Sequence, residues 1–152
     1  MDAEAKMKAV MAEFPVVVVQ PVQWGEQDPL GHVNHVTYFR WYETGRIAYF
    51  RKIGLMEMHK TERIGPILAS VTNDYRKQLT YPDTVHICVR ITRIGKSSLD
   101  MEHKIISQND HVIAAEGRST LVVFDYQTNK SHPVPARICH AIENLEGRTF
   151  EC

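Results

Sequence analysis

Cysteine is scarce in this chain. Its three cysteines, Cys88, Cys139 and Cys152, are odd in number and include no Cys-x-x-Cys pair. They suggest neither a disulfide framework nor a thiolate metal cluster, and a reducing compartment fits them best. Net charge is also missing, because Lys plus Arg equals Asp plus Glu at 18 each. That balance removes the broad electrostatic attraction which nucleic acid or an anionic membrane would need, so neither is an expected partner. No apolar run reaches the length of a membrane span. The opening segment, Met1 to Phe14, mixes Asp2, Glu4, Lys6, Lys8 and Glu13 where a secretory signal has an unbroken apolar stretch. The expected location is the cytoplasm. With 152 residues the chain holds one well-buried core, so a single domain over 1–152 is expected, with 1–14 as a helical or loose arm.

What is present is a clear alternation of element types. Val16 to Trp24 is rich in β-branched residues and reads as a strand, with Pro21 suited to an edge or bulge. Asp28-Pro29-Leu30-Gly31 is turn chemistry. Asn34 is then a candidate N-cap for a helix running to about Ile53, stopped by Gly54, with Arg51 and Lys52 in its last turn. At ~100° per residue, Thr37, Arg40, Thr44 and Arg51 form a narrow polar stripe, whereas Tyr38, Phe39, Tyr42, Tyr49, Phe50 and Ile53 share a broad apolar face. The helix should therefore be mostly buried. Glu43 and Arg46 fall within the apolar sector three residues apart, where they can neutralise each other or face a partner subunit or a ligand.

After Pro66 the hydrophobic period becomes two. Ile67, Ala69 and Val71 begin a strand; Val85, Ile87, Val89 and Ile91 mark a second; Leu99, Met101 and Ile105 a third; His111 to Phe124 a fourth. Short connections predict an antiparallel meander, and a last helix follows Pro135 and ends before Gly147. The fold class is α+β: one antiparallel sheet wrapped around a long central helix. Such a sheet has edges and a second face to manage, which predicts association into a homodimer or homotetramer.

The segment Trp24 to His35 gathers acids, histidines, an amide and glycines between the first strand and the buried helix. A carboxylate just before a helix start lies beside unpaired backbone N–H groups and the positive end of the helix dipole, which also suit a developing oxyanion. The plainer reading is that Asp28 closes a turn with Pro29 and Asn34 caps the helix.

Here the sequence resembles a known family. Gly-x-x-Asp-Pro-x-Gly-His-Val-Asn within Trp24 to Arg46, followed by Tyr38-Phe39 and Glu43-x-x-Arg46, is similar to the 4-hydroxybenzoyl-CoA thioesterase-like proteins of the hotdog fold. The likeness extends through Asp74-Tyr75-Arg76, Tyr81-Pro82-Asp83, Arg93 to Ser98 and Pro133-x-Pro135. It implies a thioester hydrolase that releases CoA and a carboxylic acid, with Asp28 as nucleophile or general base and the helix start polarising the carbonyl. The substrate is an acyl-CoA or an acyl carrier protein thioester. His32 and Asn34 match a subgroup with His-Val-Asn and join Asp28 as catalytic candidates, either in the reaction or in shaping the helix start.

Arg90, Arg93 and Lys96, with the hydroxyls of Ser97 and Ser98, flank one predicted hairpin and suit CoA phosphates, or else simply solvate a surface turn. His32 and His35 stand three apart near Asp28, but the family resembled needs no metal, so neither a metal nor another cofactor is expected. Two other readings compete: a hotdog enoyl-thioester hydratase or dehydratase, and a non-catalytic acyl-CoA-binding module.

Overall fold

A computed structural model describes residues 1–152. The chain runs α1 (Ala3–Met11), β1 (Val16–Pro21), α2 (His35–Lys52), α3 (Leu55–Glu62), β2 (Ile64–Tyr75), β3 (Thr84–Ile94), β4 (Ser98–Ser107), β5 (Val112–Asp125), β6 (Lys130–Ser131) and α4 (Ala136–Glu146). A turn of 3₁₀ helix at Trp24–Glu26 ends the region expected to be strand. No helix is long and apolar enough to cross a membrane.

Local chemistry explains where α2 begins and ends. Asn34 Oδ1 accepts the Val36 N–H at 2.9 Å, and Gly54 takes φ +81° just beyond the helix. An Asn cap of this kind contributes about 1 kcal/mol. Gly54 also opens α3, a helix with no counterpart in the sequence reading; only Leu55 and Met58 of its eight residues are buried. That is too few apolar positions for a periodic signal.

The sheet order is β1-β3-β4-β5-β2, with every pairing antiparallel. The meander is therefore three strands, β3 to β5. β2, read as its first member, instead crosses to the far edge and pairs with β5. The chain between them passes beneath the Asp28 segment, where the Leu79 carbonyl accepts the Val33 N–H at 2.8 Å.

The hotdog arrangement follows from what α2 buries. Tyr38, Trp41, Tyr42, Tyr49 and Phe50 meet Val85, Ile87, Val89, Ile91, Leu99, Met101 and Ile105 in one apolar core. Gly45 makes the close approach possible: a Cβ there would lie 2.5 Å from Val89 Cγ2. The other sheet face is partly covered within the chain itself. Met7, Val10 and Met11 of α1 pack on Phe14, Cys88 and Ile106, so the opening arm is a docked helix. Burial there pushes the Cys88 thiol up to about 12.

The cysteine expectation needs correction. Cys139 of α4 and Cys152 near the end of the chain form a disulfide, with Cα atoms 5.7 Å apart. Gly147, at φ +72°, turns the chain back after α4 and brings the two together, which their spacing along the sequence did not suggest.

Candidate functional site

The Asp28 segment is a small closed loop. Gln27 and Val33 form a bridge at its neck, and the Asp28 N–H donates to the His32 carbonyl at 2.7 Å. Asp28 Oδ1 accepts the backbone N–H groups of Leu30 at 2.8 Å and His32 at 3.2 Å. Its Oδ2 makes no hydrogen bond within the chain, so one oxygen is anchored and the other is left for an incoming group. Both readings of Asp28 are thus compatible, because the turn it closes is what aims the free oxygen.

Asn34 is committed to its cap. Its side chain takes the Val36 N–H and its carbonyl takes the Thr37 N–H at 3.0 Å. The N–H of His35, the first residue of α2, has no partner, and it lies at the positive end of the helix dipole. His32 is half-buried in the loop and His35 is exposed. Tyr75, at the end of the edge strand β2, donates its hydroxyl to the His35 carbonyl at 3.3 Å and packs edge-on against Tyr38.

Asp83 fixes the chain that leads toward the loop. Its carbonyl accepts the Val22 N–H at 2.9 Å, while its carboxylate accepts the Ser107 hydroxyl at 2.5 Å and the Asn109 N–H at 3.0 Å. Asp83 thereby ties the start of β3 to the end of β4 and to the chain leaving β1.

The cationic residues lie elsewhere. Pro21, which leads into the site, pairs with Thr84 at the first end of β3, whereas Arg93 to Ser98 surround the hairpin at the other end. Eleven residues of strand span about 33 Å, so one chain does not place the hairpin beside its own Asp28. Within that group, Lys96 is exposed, Arg93 lies 3.7 Å from Asp100, and Ser97 and Ser98 are half-buried. Arg90 points to the outer sheet face, where Nε and Nη2 bind Glu102 at 2.9 and 2.8 Å and the guanidinium covers Phe14.

A buried polar network was not recognised as such in the sequence. Arg46 is buried and donates to Ser119 Oγ at 3.1 Å, and Ser119 lies 2.6 Å from His103 Nε2. Of the two expectations for Glu43 and Arg46, mutual neutralisation is not seen: Glu43 is exposed and makes no ion pair with Arg46. The Ser119 hydroxyl therefore bridges Arg46 and His103, while Nδ1 on the other side of the imidazole has no partner. Burial, and secondarily the Arg46 charge, lower the His103 pKa to about 3. His103 also stacks on Tyr42, whose hydroxyl is bonded to Asn73. The signal in the sequence is the presence of Glu43 and Arg46 within an apolar helix face.

Residues 22–142 match the model of the thioesterase-like superfamily. The chain belongs to that superfamily. Among similar solved structures is a thioesterase from Thermus thermophilus complexed with coenzyme A and zinc; it is 33% identical, with a TM-score of 0.81 over 91% of this chain and 98% of that one. A DHNA-CoA thioesterase from Staphylococcus aureus, 21% identical with a TM-score of 0.71 over 78% of this chain and 79% of that one, shares the fold. Among curated sequences, the YsmA protein of Bacillus subtilis (strain 168) is 34% identical over 82 residues, which is 54% of each chain. The chain thus spans about half the length of that relative. The matched region includes the Asp28 loop, α2 and the whole sheet except β1.

Proposed function

We propose that this member of the superfamily hydrolyses acyl-CoA thioesters in the cytoplasm, with Asp28 as the catalytic carboxylate. The observation that carries the reading is the arrangement at Asp28: Oδ1 is pinned by two backbone N–H groups and Oδ2 is free, just before a helix whose first N–H is unbonded. As a general base, Asp28 takes a proton from water as the water oxygen attacks the thioester carbonyl. The His35 N–H and the helix dipole stabilise the oxyanion. Collapse breaks the C–S bond, and the proton passes to the CoA thiolate. As a nucleophile, Asp28 instead forms an acyl anhydride, which water then cleaves. His32 lines the loop and orients the water or the carbonyl. Asn34 acts by capping, which keeps the helix start in place.

The complete site is assigned to a dimer paired through β2. This strand is an edge and exposes Ile67 and Leu68, which are 41% and 44% accessible. Antiparallel pairing of two β2 strands reverses the ends of the partner sheet. The partner's hairpin then lies on the same side as Asp28, and its Arg93, Lys96, Ser97 and Ser98 receive the CoA phosphates. Arg90, already paired with Glu102, supports that face.

The test is thiol release from a panel of aliphatic, hydroxylated and aromatic acyl-CoA esters, with a 2-enoyl-CoA included. Free thiol is expected. Loss of enoyl absorbance without thiol would make the protein a hydratase, and binding without turnover across the panel would remove the hydrolase reading.

A further inference from the structure

The end of the chain gathers a second set of reactive side chains, far from Asp28. On α4, His140 Nδ1 lies 3.2 Å from Glu143 Oε1. One ligating atom each from His140, Glu143 and Cys152 fall within 4.8 Å of one another. Cys139 adjoins them through its bond to Cys152. Once the disulfide is reduced, these residues offer the donors of a mixed sulfur, nitrogen and oxygen site: two thiols, an imidazole and a carboxylate.

The juxtaposition does not depend on the disulfide alone. Gly147 reverses the chain at φ +72°. The Phe150 N–H then donates to Glu143 Oε2 at 2.6 Å. Arg148 donates to the Thr92 carbonyl at 2.9 Å and stacks over Phe150 at 4.0 Å from the ring centre. The helix itself is fixed by Glu146, which accepts the Tyr49 hydroxyl at 2.5 Å and the Ile91 N–H at 2.9 Å. These contacts fix residues 148–150 against α4 and β3 independently of the sulfur–sulfur bond, so reduction is expected to leave the two sulfurs near each other.

We propose that the reduced protein binds one zinc-class divalent cation through Cys139, His140, Glu143 and Cys152. Two thiolates with nitrogen and oxygen suit a borderline-soft tetrahedral ion and do not suit calcium or magnesium. Arms of 2.0 to 2.3 Å place tetrahedral ligands roughly 3.3 to 3.8 Å apart, close to the present separation of His140 and Glu143. Glu143 offers Oε1 while the Phe150 N–H holds Oε2, the kind of outer contact that orients a metal-binding carboxylate.

Disulfide and metal exclude one another. A dithiol reductant passes two electrons to the Cys139–Cys152 bond and is itself oxidised to a disulfide, leaving two protein thiols. Coordination then releases their two protons as the thiolates bind the ion. α4 contacts the hairpin half of β3, so the ion fastens the end of the chain to the body and takes no part in the chemistry at Asp28.

The test uses the full chain, reduced with a dithiol and desalted without oxygen, then titrated with Co²⁺ as an optical probe. About one equivalent should produce the visible and thiolate charge-transfer bands of tetrahedral cobalt, and Zn²⁺ should bleach them. The oxidised protein should give no bands, Cys152→Ser and His140→Ala should lose or weaken them, and Cys88→Ala should keep them. Cys152 is exposed, and circular dichroism checks that its variant folds. Absence of the bands in the reduced wild type, or unchanged bands in Cys152→Ser, would overturn the proposal. Neither result bears on thioester hydrolysis.

Discussion

The Tyr75 hydroxyl reaches the His35 carbonyl across 3.3 Å and thereby joins the end of edge strand β2 to the first residue of α2. The surface assigned to dimer contact is thus coupled directly to the helix start assigned to the oxyanion. Tyr75→Phe removes that link and keeps the ring that packs on Tyr38. A neutral hydrogen bond contributes about 1 kcal/mol, so kcat should fall about fivefold with the oligomeric state unchanged. Steady-state kinetics with sedimentation on the same sample measure both, and an unaltered kcat would make the contact incidental.

Asp28→Asn retains an acceptor for the Leu30 and His32 N–H groups and removes the negative charge. Folding should persist while kcat drops by about two orders of magnitude or more, with substrate binding little changed. A folded variant with near-parental kcat would leave Asp28 as a turn residue only.

Distance along β3 makes the shared site testable by mixing subunits. Arg93→Ala with Lys96→Ala should raise KM for CoA thioesters far more than for a short thioester lacking the nucleotide, because phosphate pairing is lost from ground-state binding. Co-refolding this double variant with Asp28→Asn gives hybrid dimers in which one site has both its carboxylate and its cations. Activity at low acyl-CoA concentration should return to about a quarter of the wild-type value. No recovery would place carboxylate and cations in the same chain.

His103 predicts an acid-side loss of stability. Its pKa in the folded protein is lowered to about 3 from an ordinary 6.5, so between these values the unfolded chain binds the extra proton. The contribution is present in full above pH 6.5 and is lost as pH falls toward 3. Urea unfolding between pH 7 and 4.5 should show a slope that His103→Phe reduces by up to about 1.4 kcal/mol per pH unit. Equal slopes in the two proteins would mean that His103 is not held neutral.

Local signals determined a good deal. Asn34 and Gly54 delimit α2 because a side-chain cap and a left-handed residue act within a few positions of themselves. Pro135 and Gly147 bound α4 in the same way. Strict alternation marks Val85 to Ile91 as half-buried strand, and the loop chemistry from Asp28 to Asn34 is written into consecutive residues. The thioesterase resemblance rests on the same local motifs.

Tertiary structure decided what depends on distant partners. The placement of β2 beside β5 arises because α2 and α3 carry the chain across the sheet before β2 begins, and no short-range pattern encodes that crossing. Arg46 looked like the partner of Glu43 by helix spacing, yet its partner is Ser119, 73 residues away. The cysteines looked unrelated until the turn at Gly147 folded the end of the chain onto α4. The proposed cationic hairpin and Asp28 lie at opposite ends of β3 because strand length sets their distance, and sequence order says nothing of which ends face each other. Caps, turns and periodicity are short-range interactions and can be read from neighbouring residues; pairing, burial and convergence depend on the whole chain.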